Sequence, residues 1–460
     1  MPAPRRASST PSGLLAAALL LAPALWLFAG PLWQNEAPAF RDTADYYLPL
    51  WARAQAEWNA GRIPWFNPWE NGGQPLAGDV TAAAFYPGRL LFCLPLSFAR
   101  TLMLFLMLHI LLAAFGAAAA ARMLGASREA SWIAGPVFAY SGYVLAQHAN
   151  AVYLVGAAWL PWAAAAGWLL VRRRRLAAIP LLAGPLAMMI LGGDPQTAAN
   201  LVLLLMLAII AVYLPHSKRK MLSGEAALPS KSGLFLRPIQ ALAAFGLAGA
   251  TCGLLAAVQL APTAAIGPQA GRSYYTHPRS IWGPQHAQVA GAEERTWWNP
   301  PRAGEHADSL YDFSLPPWLL AEFALPNAAG RMIPENHRWT SALPFSDRVW
   351  AMSLYLGLPA LWLAWIGFLP FRGSAASRWL AWGAVLSAVA SFGWYGLGWL
   401  TGEGLAALGQ EAAADKLDPA DSTGCWFGSF RAMCCSDTRR NCFCSPRSAS
   451  PYSPRGDTTD

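Results

Sequence analysis

Residues 101–121, TLMLFLMLHILLAAFGAAAAA, hold one ionisable ring, His109, and no fixed charge in 21 positions. A helix of that length crosses a hydrocarbon layer of roughly 30 Å at 1.5 Å per residue. Runs of the same character recur at 13–33, 131–148, 151–171, 176–193, 198–215, 238–262, 349–370 and 379–400. Together they predict an all-α fold: a polytopic transmembrane helical bundle of about nine spans, with loops that contain short amphipathic helices. Composition points the same way, with 55% of the 460 residues hydrophobic and 13% charged, against roughly 25% charged in ordinary soluble domains.

A net charge of +8 invites a nucleic-acid reading, but the basic residues follow topology instead. Arg5 and Arg6 precede the first run, Arg122 and Arg128 follow the second, and Arg172 to Arg175 follow the fourth. Lys218, Arg219, Lys220, Lys231 and Arg237 follow the sixth, and Arg372 and Arg378 the eighth. The positive-inside rule then sets the N-terminus in the cytoplasm and leaves no basic surface for nucleic acid. The first run continues to about Trp33 without a clear small-residue cleavage site, so it reads as an uncleaved span. The outer face receives a first loop at 34–100, the turn at Asp194, a second loop at 263–347 and the tail 401–460.

The first loop is the polar, aromatic stretch of an otherwise apolar chain: RDTADYYLPLWARAQAEWNAGRIPWFNPWENGGQPLAGDVTAAAFYP, residues 41–87. Pro49 to Ala60 reads as an amphipathic helix in the membrane interface, with Leu50, Trp51, Ala54 and Trp58 on one face and Gly61 at its end. Residues 89–98 are too short to cross and read as an interfacial piece.

Asp42 and Asp45 are the candidate catalytic pair. Three apart on a helix, they would share a face, one acting as general base and the other orienting a partner or a divalent cation. The plainer alternative makes Asp42 a helix cap and Asp45 a solvated acid. Arg41 and Arg89 lie on the side where the positive-inside rule does not place arginine, and a guanidinium fork matches phosphate oxygens; the alternative is a snorkelling side chain. Asn67, Gln74 and Asp79 offer donors and acceptors to a sugar on which Trp65, Phe66 and Trp69 could stack, or they hold the loop together. Asp194 and Gln196 in GGDPQTAAN sit at a turn on the same face, where Asp194 also suits a helix cap before Pro195. His148 and Asn150 occupy another turn there and could line the same cavity, His148 as a substrate-binding group; the alternative for each is a structural role. His109, mid-span, reads as a neutral histidine bonded to a neighbouring helix.

Cys93 and Cys252 fall in apolar segments and read as packing residues. Cys425, Cys434, Cys435, Cys442 and Cys444 crowd a tail without helical or strand period, expected to be disordered or aberrant, and their spacing matches no zinc knuckle. The chain contains no GxxxxGK[ST], GxSxG or HExxH pattern and no GxGxxG after a strand. Nucleotide hydrolysis, serine hydrolysis and zincin chemistry therefore have no support. The nine runs carry no Asp, Glu, Lys or Arg at their centres, which counts against ion-coupled transport.

The first span followed by RDTADYYLPLW, GRIPWFNPWENGGQPLAGD and AFYPGRL, with GGDPQTA after the fifth span, resembles the YfhO-like bacterial multi-pass membrane proteins, within the wider glycosyltransferase C superfamily. The resemblance covers roughly residues 13–400 and is most specific in the first loop. It implies a 1–400 transferase domain in the bacterial cytoplasmic membrane that moves sugar from a polyprenyl-phosphate donor to a cell-envelope acceptor, with a first-loop acid as base. Asp42, nearer the first span, is the favoured match over Asp45. Similar proteins tend to be longer, and this chain leaves the pattern near Trp399. The partners implied are the lipid-linked donor and membrane lipids. Two alternatives stand beside this reading: a lipid-linked glycan flippase with a polar groove at His109, Gln240 and Gln259, and a catalytically silent membrane scaffold.

Overall fold

The computed structural model describes residues 11–38, 42–70, 72–173, 177–222, 231–266, 315–332, 337–342, 351–368 and 374–392. All belong to the first of two compact units, Met1–Tyr395; the second, Gly396–Asp460, lies outside the described residues, as do the tail cysteines.

The described chain is mostly helical. In order come α1 (Pro11–Gln34), a π-helical turn (Thr43–Tyr47), α2 (Leu48–Asn59), α3 (Phe98–Met123), α4 (Arg128–Ala139) and α5 (Gly142–Ala146). Then follow α6 (Ala151–Arg173), α7 (Ala178–Leu191), α8 (Pro195–Leu222), α9 (Lys231–Leu255) and α10 (Ala257–Ile266). A small two-stranded antiparallel sheet, β1 (Gly330–Arg331) and β2 (His337–Arg338), precedes α11 (Leu358–Phe368) and α12 (Ala375–Ser391).

The core of the bundle is α6, which packs on α3, α7 and α8, while α3 also receives α1 and α4. Small residues allow the close approaches, as is usual where lipid removes the hydrophobic drive between helices. Gly116 of α3 lies under the Trp162 ring, whose Nε1 donates to Leu112 O at 3.1 Å. Gly167 of α6 accommodates Leu205 of α8, and Gly135 of α4 accommodates Leu20 of α1. At the end of α6, Trp168 stacks on Trp379 of α12 with ring centroids 5.1 Å apart.

Among the described residues, two helices, Phe98–Met123 and Ala151–Arg172, are long and apolar enough to cross a membrane; a third span results if Ile239–Leu255 and Ala257–Ile266, bent by 77°, count as one. The expected span at 131–148 is not a single helix. It divides into α4, α5 and a 3-10 turn at Gln147–Ala149, because Ser141 takes extended backbone and accepts from Val144 N, and Gly142 N donates to Tyr355 O at 2.6 Å. The 176–193 run yields only the 14 helical residues of α7, roughly 21 Å of helix. In the 349–370 run, residues 351–357 are not helical and α11 begins at Leu358.

Candidate functional site at the loop end of the bundle

The first loop is bolted onto one end of the bundle by side chains that leave the loop and enter it. Tyr86, just before the 3-10 helix Pro87–Cys93, is buried and places its hydroxyl 2.7 Å from His109 Nε2 on α3. Trp159 Nε1 of α6 donates to the same hydroxyl at 2.9 Å. His109 Nδ1 lies 2.6 Å from Phe105 O. A carbonyl can only accept, so Nδ1 carries the proton and Tyr86 donates to Nε2. The expectation for His109 is thus half met: it is bonded, but to a loop tyrosine rather than to a neighbouring helix.

The amphipathic helix forms as expected at α2, and Gly61 ends it with φ +70°. Its apolar face packs against the protein itself. Trp51 is 1% exposed, its ring meets Phe92 and Phe105, and its Nε1 donates to Thr81 O at 3.2 Å. Trp58 Nε1 donates to Ala84 O at 3.0 Å. An indole needs a partner for its N–H when buried, and the turn 79–84 supplies both acceptors.

Further ties reach the loop from α10 and from the turn between α7 and α8. Gln259 Nε2 donates to Ala77 O at 2.8 Å, and Thr263 Oγ1 lies 2.9 Å from Gly78 O. Gly193 adopts φ +99°, and a Cβ there would press on Val152 and on the Val80 carbonyl. Its neighbour Asp194 is 1% exposed. One carboxylate oxygen accepts from Thr197 N at 2.9 Å, capping α8, while Oδ2 has no hydrogen-bond partner among the described residues and faces Gly156 of α6. Burial pushes the Asp194 carboxyl up, against the Thr197 bond that pulls it down. Gln196, two residues on, is exposed.

The remaining candidates divide between loop-building and open roles. Asp79 accepts from Thr81 N at 2.8 Å, Thr81 Oγ1 at 2.6 Å and Tyr46 OH at 2.9 Å, so it caps the 3-10 turn Val80–Ala82. Burial, opposed by the Thr81 hydroxyl and helped by the Asp79 charge, pushes the Tyr46 phenol up to about 12. Asn67 and Gln74 exchange backbone bonds at 2.7 and 2.8 Å, and the Asn67 amide donates to Glu70 at 3.1 Å. The Asn67 side chain is buried in this turn, while Gln74 is exposed. Trp65, Phe66 and Trp69 project outward, Trp69 with 82% of its surface open.

Arg89 does not stand ready for a phosphate. It is 4% exposed, its guanidinium lies 4.3 Å from the Trp51 and Phe92 ring centroids, and Nη2 donates to Trp51 O at 2.8 Å. Burial pushes it down to about 9, which still leaves it charged at neutral pH. Arg41 lies outside the described residues.

Asp42 and Asp45 are both exposed. Asp42 occupies the cap position of the π-helical turn but makes no capping bond. With the Asn150 amide turned so that its nitrogen, rather than its oxygen, faces the carboxylate, the orientation in which both groups are paired, Asp42 Oδ2 receives the amide at 2.7 Å. Next to it, the buried Thr43 Oγ1 donates to His148 O at 2.8 Å, and His148 Nδ1 turns to Leu145 O at 2.9 Å. The structure therefore brings Asp42, His148 and Asn150 together, with Asp194 on the next turn of the same end. Asp45 makes no hydrogen bond or ion pair among the described residues; it lies within the π-helical turn, while Asp42 precedes it. Among the described residues, no three His, Cys, Asp or Glu side chains gather as a metal site would.

Asn150 is the residue that sequence reasoning undervalued: placed before α6, it has the look of an ordinary helix cap, and only its reach to Asp42, 108 positions earlier in the sequence, gives it another task. Compared with family models, with curated proteins and with solved structures, the chain matches none of them.

Proposed function

We propose that the chain is a multi-pass protein of the bacterial cytoplasmic membrane, with about nine spans and a cytoplasmic N-terminus, that transfers sugar from a polyprenyl-phosphate donor to an envelope acceptor. The observation that carries this reading is Asp42: an exposed carboxylate fixed by a buried amide where the first loop meets α6, a helix long and apolar enough to span. A rigid acid at that level suits a donor whose reactive carbon is held at the headgroup depth by its own lipid.

In the step proposed, Asp42 takes the proton of an acceptor hydroxyl while the oxygen attacks the anomeric carbon. The carbon–oxygen bond to phosphate breaks, polyprenyl phosphate leaves with the electron pair, and the anomeric configuration inverts. Arg89 is occupied inside the loop, so Arg41 or an arginine of 263–347 is assigned the developing phosphate charge. Transfer is preferred over flipping because His109 and Gln259, two of the groups a polar path would use, are engaged with the first loop.

The test uses the intact chain in lipid nanodiscs with radiolabelled undecaprenyl-phosphate glucose, galactose or N-acetylglucosamine and an envelope acceptor fraction. The expected result is movement of label to the acceptor, release of undecaprenyl phosphate and no turnover of UDP-glucose. Donor left unconsumed, together with labelled lipid crossing leaflets in proteoliposomes, would replace the transferase with a transporter.

A further inference from the structure

We infer that Asn150 is the positioning residue for Asp42: it fixes which carboxylate oxygen points to the acceptor, and the Thr43–His148 bond holds the backbone beside it. This deepens the transferase reading and rests on it. Three observations converge. Asn150 is 5% exposed, so its amide has little water to exchange for. Two acceptors, Asp42 Oδ2 and Ala149 O, assign the amide orientation, and so turned its nitrogen lies 2.7 Å from the first and 3.3 Å from the second. Thr43 is fully buried and spends its hydroxyl on His148 O at 2.8 Å, two residues before Asn150.

Consider what Asp42 would be without them. It sits on a short π-helical turn, makes no capping bond and is exposed, so its carboxylate would sample several rotamers. One strong bond to Oδ2 removes that freedom and leaves Oδ1 as the basic oxygen. The donor stands at the head of α6, a helix of 23 residues that holds it in place. A base held this way costs less reorganisation when the hydroxyl arrives, which is the advantage of fixing a reacting group before the step.

The experiment is steady-state transfer from undecaprenyl-phosphate glucose, or whichever hexose donor the intact chain turns over. It compares the intact chain with Asn150→Leu, Thr43→Val and Asp42→Asn, alongside thermal unfolding of each in the same nanodiscs. For Asn150→Leu the expected result is a kcat lower by roughly 10- to 100-fold with donor KM unchanged. Thr43→Val, isosteric and away from the carboxylate, is expected to lower kcat less and in the same sense. The swap Asp42→Asn with Asn150→Asp is expected to regain the melting temperature that Asn150→Asp alone loses, without regaining transfer.

Full kcat in Asn150→Leu with Asp42→Asn inactive would overturn the positioning role and leave the base assignment intact. A kcat loss matched by an equal rise in KM and a lowered melting temperature would make Asn150 merely structural, and again overturn it. Undiminished transfer by Asp42→Asn, or none by the intact chain with any donor, would remove the transferase reading and this inference with it.

Discussion

The two halves of the first loop have similar compositions and opposite fates. Residues 42–58 and 79–93 send Trp51, Tyr86 and Phe92 inward, and each buried polar handle among them finds a partner: Thr81 O for Trp51, His109 and Trp159 for Tyr86. Residues 63–76 keep Trp65, Phe66 and Trp69 outside and close on themselves through the Asn67–Gln74 bridge. Aromatic content alone therefore does not mark an interfacial surface. What separates the halves is whether the neighbouring backbone leaves a carbonyl, or the bundle a histidine, for the ring's N–H or O–H to reach.

That contrast can be broken at the inner half first. Tyr86→Ala removes a buried ring and orphans His109 and Trp159, with an expected loss of about 3–5 kcal/mol. Denaturant unfolding of the purified chain measures it, and a loss under about 1 kcal/mol would mean the loop is not bolted on through Tyr86. Gly156→Ala sets a Cβ against Asp194 Oδ2. The same assay should show a loss of about 1–3 kcal/mol, since a packed helix interface has no room to yield.

The smaller effects sharpen the comparison. Ala83 holds φ +46° while fully packed, a left-handed conformation that an alanine side chain disfavours. Ala83→Gly should raise stability by about 0.5–1 kcal/mol by relieving it, readable as a higher melting temperature. Trp69→Ala, at the exposed tip, should change stability by no more than about 0.5 kcal/mol. A larger loss there would show that the tip is packed in the folded protein.

Much of this architecture was legible in the chain. The long apolar runs gave α3 and α6, and the spacing of Leu50, Trp51, Ala54 and Trp58 gave α2 with Gly61 at its end. Breaks inside apolar runs were not legible. Nothing in the hydropathy of 131–148 announces that Gly142 N will bond Tyr355 O, more than 200 residues away. The site was legible by residue type and not by geometry. Asp79 and Asn67 could serve a sugar or a turn, and local hydrogen bonds decide for the turn. Arg89 reads as a surface cation until Trp51 and Phe92 are seen on its guanidinium. The Asp42–Asn150 bond joins two loops across α3, α4 and α5, a distance that no periodicity encodes.

The most direct test of the account is the rate of sugar transfer by Asp42→Asn against the intact chain, at matched amounts in the same nanodiscs. A fall of roughly 100-fold or more is expected, as for loss of a general base, with the melting temperature held within a few degrees. Transfer at the intact chain's rate would contradict it.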